Sequence, residues 1–183
     1  MSIPRELTLR RTPVGLRLVQ QPVAEALKLR EAGPRKFLGG TFDAAAKWLQ
    51  EQQNLPPLLD LELMFTSIIA KSVFTLQVHT GPDEVTTLVF NGVPARLTLD
   101  RTRSGKTDFH PKFPARHEAP LPITDGHVTL RLLVDTSSLE VFAQNGETVL
   151  TELIFPTAGP RSLSLTNDGE AFGVGGITIH AVK

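Results

Sequence analysis

Hydrophobic and polar positions alternate along most of this chain. Leucine occupies every second position in the segments 7–9 and 16–18, and aliphatic residues do the same from Val128 to Val134. Successive side chains of a strand point to opposite faces of the sheet, so a period of two is typical of half-buried strands. Because Pro13 to Gly15 separates the first two segments, they predict a β-hairpin.

Two Asn-Gly pairs predict further hairpins, because this dipeptide tolerates the positive φ angles of a tight turn. Asn91-Gly92 would join residues 86–90 to 93–99, and Asn145-Gly146 would join residues 138–144 to 147–155. Many short strands separated by turn signals are typical of sandwiches or barrels. The sequence therefore predicts an all-β fold with short helical insertions. Of the two architectures we expect a two-sheet antiparallel β-sandwich of the jelly-roll or concanavalin-like type.

Two segments interrupt the alternation and predict those insertions. Val23 to Arg30 follows a proline, and Asp43 to Gln53 has a candidate N-cap at Thr41 or Asp43. The second contains Trp48, which we expect to anchor a helix on the core.

The length of 183 residues is that of one domain. Within a single β-sandwich domain over 1–183, we expect a first hairpin at 1–20, a helical and loop insertion at 22–57, and the main sandwich at 58–183.

Composition excludes several classes of function. With 19 basic and 19 acidic residues the net charge is zero, so the chain lacks the excess positive charge that is typical of proteins that bind nucleic acid. The absence of cysteine excludes disulfides and thiolate zinc sites. No apolar run is long enough to span a membrane, and no signal peptide opens the chain. As written, the chain is expected in the cytoplasm, while secretion stays open for a longer parent protein.

Few residues in the sequence carry recognisable catalytic chemistry. The five histidines form no zinc motif, and no nucleophile-elbow pattern is present, so no metal site and no cofactor is predicted. Glu140 would point out of a strand whose neighbours are apolar, as a functional carboxylate or as part of a solvated face. Asp100, Arg101 and Arg103 could bind sugar hydroxyls or hold their loop by salt bridges.

Three groups of motifs in this sequence are shared with a known family. The first is Met1-Ser-Ile-Pro-Arg-Glu-Leu-Thr-Leu with Gly15-Leu-Arg-Leu-Val-Gln-Gln-Pro. The second is Leu99-Asp-Arg-Thr-Arg-Ser-Gly, continuing through Asp108-Phe-His-Pro to Arg116-His. The third is Leu130-Arg-Leu-Leu-Val-Asp-Thr-Ser-Ser-Leu-Glu-Val-Phe with Val149-Leu-Thr-Glu-Leu-Ile-Phe-Pro. Together they resemble the C-terminal β-sandwich of glycoside hydrolase family 32, which contains invertases, inulinases and levanases.

The resemblance implies that catalysis resides elsewhere. Family members carry their catalytic carboxylates on an N-terminal five-bladed propeller, in motifs such as Asn-Asp-Pro-Asn-Gly, Arg-Asp-Pro and Glu-Cys-Pro, and none of these is present here. No catalytic residue is therefore predicted. The candidate sugar-binding residues are Asp100, Arg101, Arg103, Asp135 and Glu140. One departure is Thr136 after Asp135, where the family often has arginine.

Three functions stay open at this point. The chain would be an accessory module that stabilises a propeller enzyme, a module that binds fructan or fructose, or, as the least favoured alternative, an independent glycosidase. The first predicts an exposed apolar surface, which would contact the propeller or a second copy of the chain in a homodimer. Met1 would correspond to a methionine inside a longer enzyme, so the chain is either a fragment or a separately encoded sandwich.

Overall fold

The computed structural model describes residues 2–12, 15–81 and 83–183. Met1 and most of the turn expected at Pro13 to Gly15 lie outside this range. Within it the chain forms fourteen strands and one α-helix. The strands are β1 (Arg5–Thr12), β2 (Gly15–Pro22), β3 (Arg35–Phe37), β4 (Gly40–Thr41), β5 (Leu59–Thr66), β6 (Val73–His79), β7 (Val85–Gly92), β8 (Ala95–Arg103), β9 (Arg116–Pro120), β10 (Val128–Val134), β11 (Ser138–Ala143), β12 (Thr148–Leu153), β13 (Ser162–Asn167) and β14 (Gly173–Ala181).

Two antiparallel sheets form the body of the molecule and confirm the predicted sandwich. The seven-stranded sheet runs in the order β12-β11-β10-β5-β14-β3, with β4 also paired to β14. The five-stranded sheet runs β13-β6-β7-β8-β9. The first hairpin, β1 paired with β2, is a separate two-stranded sheet that joins neither.

The core fills the space between the two sheets with the apolar face of each strand. Phe74 of β6 lies at its centre, with ring centroids 4.1 Å from Phe65 of β5 and 5.1 Å from Phe90 of β7. Phe172 closes one end by packing edge-on against Phe42 and Phe65. Truncation of a buried aromatic side chain of this size to alanine lowers the free energy of unfolding by about 3–5 kcal/mol. This cluster is therefore a main source of stability.

The α-helix α1 (Phe42–Glu51) confirms the second predicted helix, with Thr41 as its N-cap. The Thr41 hydroxyl accepts a hydrogen bond from the Ala44 amide at 3.3 Å. Leu49 is fully buried in the core cluster, and Trp48 packs against that cluster from its edge. The first predicted helix is instead a 3-10 helix over Ala24–Leu29.

Both predicted hairpins exist, but their turns differ from the Asn-Gly prediction. Asn91 and Gly92 lie inside β7, and the two-residue turn is Val93-Pro94. Gly92 is needed there for packing, because a Cβ atom would lie 2.5 Å from the carbonyl oxygen of Ala70. The second hairpin has a four-residue connection, 144–147, with a 3-10 turn over Gln144–Gly146.

The stretch 101–122 was expected to be irregular and is only partly so. β9 lies within it and pairs with β8, so that Asp100 faces Arg116 across the two strands. The irregular part is 104–115, between β8 and β9. This loop follows directly on three of the predicted site residues.

A buried carboxylate joins the 3-10 helix to the sandwich. Asp60 of β5, about 1% exposed, accepts hydrogen bonds from Arg131 of β10 at 2.7 and 2.9 Å and from Arg30 at 2.7 Å. Burial opposes the ionisation of Asp60, but the hydrogen bonds from the two guanidinium groups outweigh it and hold the pKa of Asp60 below its ordinary value. Arg30 thereby fixes the segment before β3 onto the outer face of the seven-stranded sheet.

Candidate functional site

The three predicted site residues of β8 point in different directions. Asp100 binds locally, because its carboxylate accepts hydrogen bonds from Thr102 (2.6 and 2.8 Å) and from the Arg116 Nε atom (2.6 Å). Partial burial would raise the pKa of Asp100, but these hydrogen bonds lower it below the ordinary value. Arg103 donates to the backbone oxygen of Asp83 at the far end of the strand.

Arg101 is directed between the two sheets. Its Nη1 atom lies 3.0 Å from the Glu152 carboxylate of β12, and its guanidinium group stacks 4.2 Å from the ring centroid of Phe113. His117 of β9 contacts the other oxygen of Glu152. This arrangement joins the edge strands of the two sheets and holds the 104–115 loop against them, so the loop-fixing alternative accounts for the contacts of Arg101.

Glu140 lies in β11, and Asp135 lies in the turn that leads into this strand. Asp135 caps the β10–β11 turn, where its carboxylate accepts from the Thr136 amide at 2.6 Å. Both residues line a cleft of about 290 Å³ that also contains Ser2, Ile3 and Asp60. The Glu140 side chain is only 5% exposed, because the N-terminal segment covers it.

The five predicted residues therefore do not form one site. Leu139 pairs with Glu152 and Glu140 pairs with Thr151 in the β11–β12 register. Since neighbouring residues of a strand face opposite sides, Glu152 with its partner Arg101 lies on one side of the sheet and Glu140 lies on the other.

An ion pair between Glu140 and Arg5 anchors the first hairpin. The Glu140 carboxylate accepts from Arg5 Nη2 at 2.6 Å and from the Ile3 amide at 2.7 Å. Arg5 also donates to Gln20 Oε1 at 3.0 Å and Thr151 Oγ1 at 2.5 Å. The three hydrogen bonds of Arg5 connect β1 and β2 of the hairpin to β11 and β12 of the seven-stranded sheet.

The hairpin leaves one apolar face uncovered. Its register pairs Leu9 with Leu18, so these two residues share a face with Leu7 and Leu16. All four are more than half exposed, at 52–66%, whereas Val19 on the opposite face is 2% exposed against the sandwich. We call Leu7, Leu9, Leu16 and Leu18 the leucine face.

The leucine face and Arg5 were not among the predicted functional residues. The sequence signal for the leucine face was the alternation of leucine with other residues in both strands of the hairpin. The structure adds that the other face of the hairpin, which carries Val19, is the one that packs on the sandwich. Arg5 had no such signal, because its partner Glu140 lies 135 residues away in the sequence.

Two further kinds of feature, a metal-binding cluster and a membrane-spanning helix, were sought in the part of the chain that the structure describes. No group of three or more histidine, aspartate and glutamate side chains there could hold a metal ion. Among the same residues, no helix has the length and apolar character needed to cross a membrane.

Comparison with known proteins identifies the fold and its family. The family described as "Glycosyl hydrolases family 32 C terminal" matches residues 41–181. The chain belongs to this family. The resemblance stated from the sequence motifs is therefore confirmed, and the chain corresponds to the C-terminal domain of family 32 glycoside hydrolases. The match begins at the end of β4, after the hairpin and the 3-10 helix.

Relatives of known activity extend well beyond the matched segment. The chain is 34% identical over 184 residues to a levanase from Bacillus subtilis (strain 168), and the match covers 100% of this chain but 27% of the levanase. A levanase from Bacillus sp. (strain L7) is 30% identical over 190 residues, with 100% and 20% covered. The chain thus spans about a quarter or less of these two proteins.

Solved structures agree with this correspondence. The exo-inulinase from Aspergillus awamori superimposes with a TM-score of 0.81 at 25% identity, over 100% of this chain and 36% of the inulinase. Fructan 1-exohydrolase IIa from Cichorium intybus superimposes with a TM-score of 0.75 at 18% identity, which shows the same fold.

Proposed function

We propose that this chain is the non-catalytic accessory sandwich of a fructan- or sucrose-hydrolysing enzyme, and that its leucine face packs against the catalytic propeller domain. The observation that carries the proposal is the exposure of four leucines on one face of a hairpin that joins neither sheet. An isolated two-stranded hairpin is at best marginally stable in water, so an apolar face of this kind calls for a partner.

The comparisons favour a catalytic domain as that partner. The levanases that this chain matches are several times its length, and the levanase activity belongs to those whole proteins. The family match covers the sandwich but not the hairpin, which precedes residue 41. The hairpin is thus the described element best placed to extend away from the sandwich toward a neighbouring domain.

The contacts of the candidate carboxylates support a non-catalytic role. Asp100 is engaged by Thr102 and Arg116, and Glu140 is engaged by Arg5 and the Ile3 amide. A retaining or inverting glycosidase needs two carboxyl groups that face a common cleft, one of them free to transfer a proton. Asp100 and Glu140 are instead used to hold the fold. Fructan binding by the five predicted residues stays a prediction, because the cleft lined by Asp135 and Glu140 does not include Asp100, Arg101 or Arg103.

A chimeric enzyme tests the proposal. The matching segment of the Bacillus subtilis levanase would be replaced by this chain, with and without Leu9→Gln and Leu18→Gln together. We expect the unsubstituted chimera to hydrolyse levan and the substituted one to lose activity at a lower temperature, because polar side chains would be buried in the domain interface. This chain alone should release no sugar from levan, inulin or sucrose.

Val93→Gln is the matched control, since Val93 is 70% exposed in the β7–β8 turn and belongs to no proposed interface. The control chimera should keep the heat resistance of the unsubstituted one. Equal heat resistance for all three chimeras would contradict the proposed interface, and turnover by the chain alone would contradict the non-catalytic role.

A further inference from the structure

Three large apolar side chains are exposed together where β12 ends. Phe109 of the 104–115 loop is 53% exposed, Leu153 is 45% exposed and Phe155 is 38% exposed. The rings of Phe109 and Phe155 meet edge to face, with centroids 5.5 Å apart. Ile154 is buried between Leu153 and Phe155, so these two side chains point to the same, outer side of the chain. We call Phe109, Leu153 and Phe155 the aromatic patch.

Backbone contacts fix the loop that carries Phe109. The Phe155 amide donates to the Ser104 carbonyl oxygen at 3.0 Å, and the Lys106 amide donates to the Phe155 carbonyl oxygen at 2.8 Å. Gly105 lies between these two bonds, so close to Phe155 that a Cβ atom would come within 2.1 Å of its carbonyl oxygen. The start of the loop is thereby tied to the end of β12, and the two parts of the aromatic patch are held in one place.

A third phenylalanine supports the patch from the side of the sandwich. Phe113 is half-buried, and its ring centroid lies 4.5 Å from that of Phe109 and 5.4 Å from that of Phe155. The Arg101 guanidinium, which pairs with the buried Glu152, stacks on the Phe113 ring. Exposed aromatic side chains on a preorganised support are typical of protein contact surfaces, because aromatic residues are enriched in interfaces.

The aromatic patch lies close to the N-terminal segment. The Ile3 amide donates to Glu140, and Glu140 pairs with Thr151 across β11 and β12. Arg5 also donates to the Thr151 hydroxyl. Leu153 follows Thr151 on the same exposed face, about 7 Å further along the strand. The base of the first hairpin and the aromatic patch are therefore neighbours on β12.

A domain tethered through the N-terminal segment is the occupant that this position favours. The matched family is described as a C-terminal one, and the match covers 27% of the Bacillus subtilis levanase. In such a protein, the chain that precedes the sandwich arrives beside Glu140 and hence beside the patch. A short tether gives an effective concentration in roughly the millimolar range, which favours the tethered domain over a second copy of the chain.

We infer that the aromatic patch is a second contact surface for the catalytic domain, separate from the leucine face. The inference rests on the proposed function, because it takes the same domain as the partner. Buried aromatic side chains contribute most to the stability of an interface, so Phe109, the most exposed of the three, is expected to be its anchor. The leucine face belongs to the hairpin and the patch to the sandwich, so contact with both would fix the orientation of the catalytic domain.

The test is the oxidation of side chains by hydroxyl radicals, read by mass spectrometry. It compares this chain alone with the chimera in which the chain replaces the matching segment of the Bacillus subtilis levanase, with levan hydrolysis as the check that the chimera is folded. Phenylalanine and leucine react in proportion to their exposure. We expect Phe109 to react about fivefold more slowly in the chimera, because the core of an interface is almost fully buried. Leu38, 88% exposed between β3 and β4, is the internal control and should react equally in both proteins.

The same spectra separate this inference from the proposed function, because they also report the four leucines of the leucine face. Slower oxidation of those leucines with unchanged Phe109 would overturn this inference and leave the proposed interface standing. Slower oxidation of Phe109 with unchanged leucines would support the patch and contradict the leucine face as an interface. No change in either would contradict both. If oxidation of Phe109 in the chain alone slowed with rising protein concentration, a second copy would be the occupant and the inference would be overturned.

Variants assign the effect to the contact rather than to folding. Phe109→Gln should lower the temperature at which the chimera loses activity, because a polar side chain would be buried in the interface. It should leave the thermal unfolding of the chain alone unchanged, and Leu38→Gln should change neither property. Leu153→Gln, at an exposed strand position, makes the same comparison if Phe109→Gln does not fold. Equal heat resistance of the substituted and unsubstituted chimeras, or an equal loss in the chain alone, would overturn the inference.

Discussion

Removal of the Arg5 guanidinium should release the first hairpin from the sandwich. In Arg5→Met the Glu140 carboxylate, 5% exposed, would keep the hydrogen bond from the Ile3 amide and lose the ion pair with Arg5. A hydrogen bond to a charged group contributes about 1.5–3 kcal/mol, and breaking a fully buried pair costs about 3–5 kcal/mol. Arg5 is 18% exposed, so the lower part of this range applies. We therefore expect Arg5→Met to lower the free energy of opening the hairpin by about 2–3 kcal/mol.

Glu140→Gln should cost less than Arg5→Met. Arg5 lies nearer the solvent and keeps Gln20 and Thr151 as hydrogen-bond acceptors, so no buried charge is left unpaired. We expect Glu140→Gln to lower the free energy of opening the hairpin by about 1–2 kcal/mol. The inequality between the two variants is a sharper prediction than either value, because it follows from which group remains buried.

Hydrogen exchange measured by mass spectrometry is the suitable assay, because the hairpin can open while the sandwich stays folded. A loss of 2–3 kcal/mol corresponds to roughly 30- to 150-fold faster exchange of the protected amides in β1 and β2, at about 1.4 kcal/mol per factor of ten. Arg96→Met removes an exposed ion pair and should change exchange by less than about threefold. Equal effects for Arg5→Met and Arg96→Met, or a larger effect for Glu140→Gln, would refute the reasoning.

Three further predictions concern the sandwich itself. Burial lowers the pKa values of His79 and His180, so the unfolded chain binds protons first and the free energy of unfolding should fall as the pH drops below about 6.5. Urea denaturation between pH 8 and pH 5 would show this, and asparagine at both positions should flatten the slope. Thr41→Ala should lower stability by about 1 kcal/mol through loss of the N-cap, measured by thermal unfolding. Gly92→Ala should cost about 1–3 kcal/mol because its Cβ would meet a backbone oxygen at 2.5 Å, whereas Gly159→Ala, with no atom within 4 Å, should be neutral in the same urea titration.

The fold was largely predictable because it depends on local patterns. Alternation within a strand determines which face is buried, and Thr41 with the alanine-rich segment after it determines the start of α1. The prediction of a turn at Asn91-Gly92 was wrong for a non-local reason. Gly92 is required by the close approach of the Ala70 backbone rather than by a turn, and a sequence pattern does not reveal which strand approaches a glycine.

The site was less predictable, because its contacts are long-range. Alternation correctly placed Glu140 off the core face, but it could not show that Arg5, 135 residues earlier, covers that carboxylate.

The N-terminal segment and the sandwich depend on each other although only the sandwich lies within the family match. Arg5 and Arg30 both precede residue 41, and each places a guanidinium group against a buried carboxylate of the seven-stranded sheet, Glu140 and Asp60 respectively. A carboxylate buried without its cation is strongly destabilising, so loss of either arginine would weaken the seven-stranded sheet as well as the N-terminal segment. The two ion pairs therefore hold the N-terminal segment, which carries the leucine face, on the outer face of this sheet. They also give Glu140, a candidate sugar ligand in the sequence, a structural role, because its carboxylate anchors the first hairpin to the sandwich.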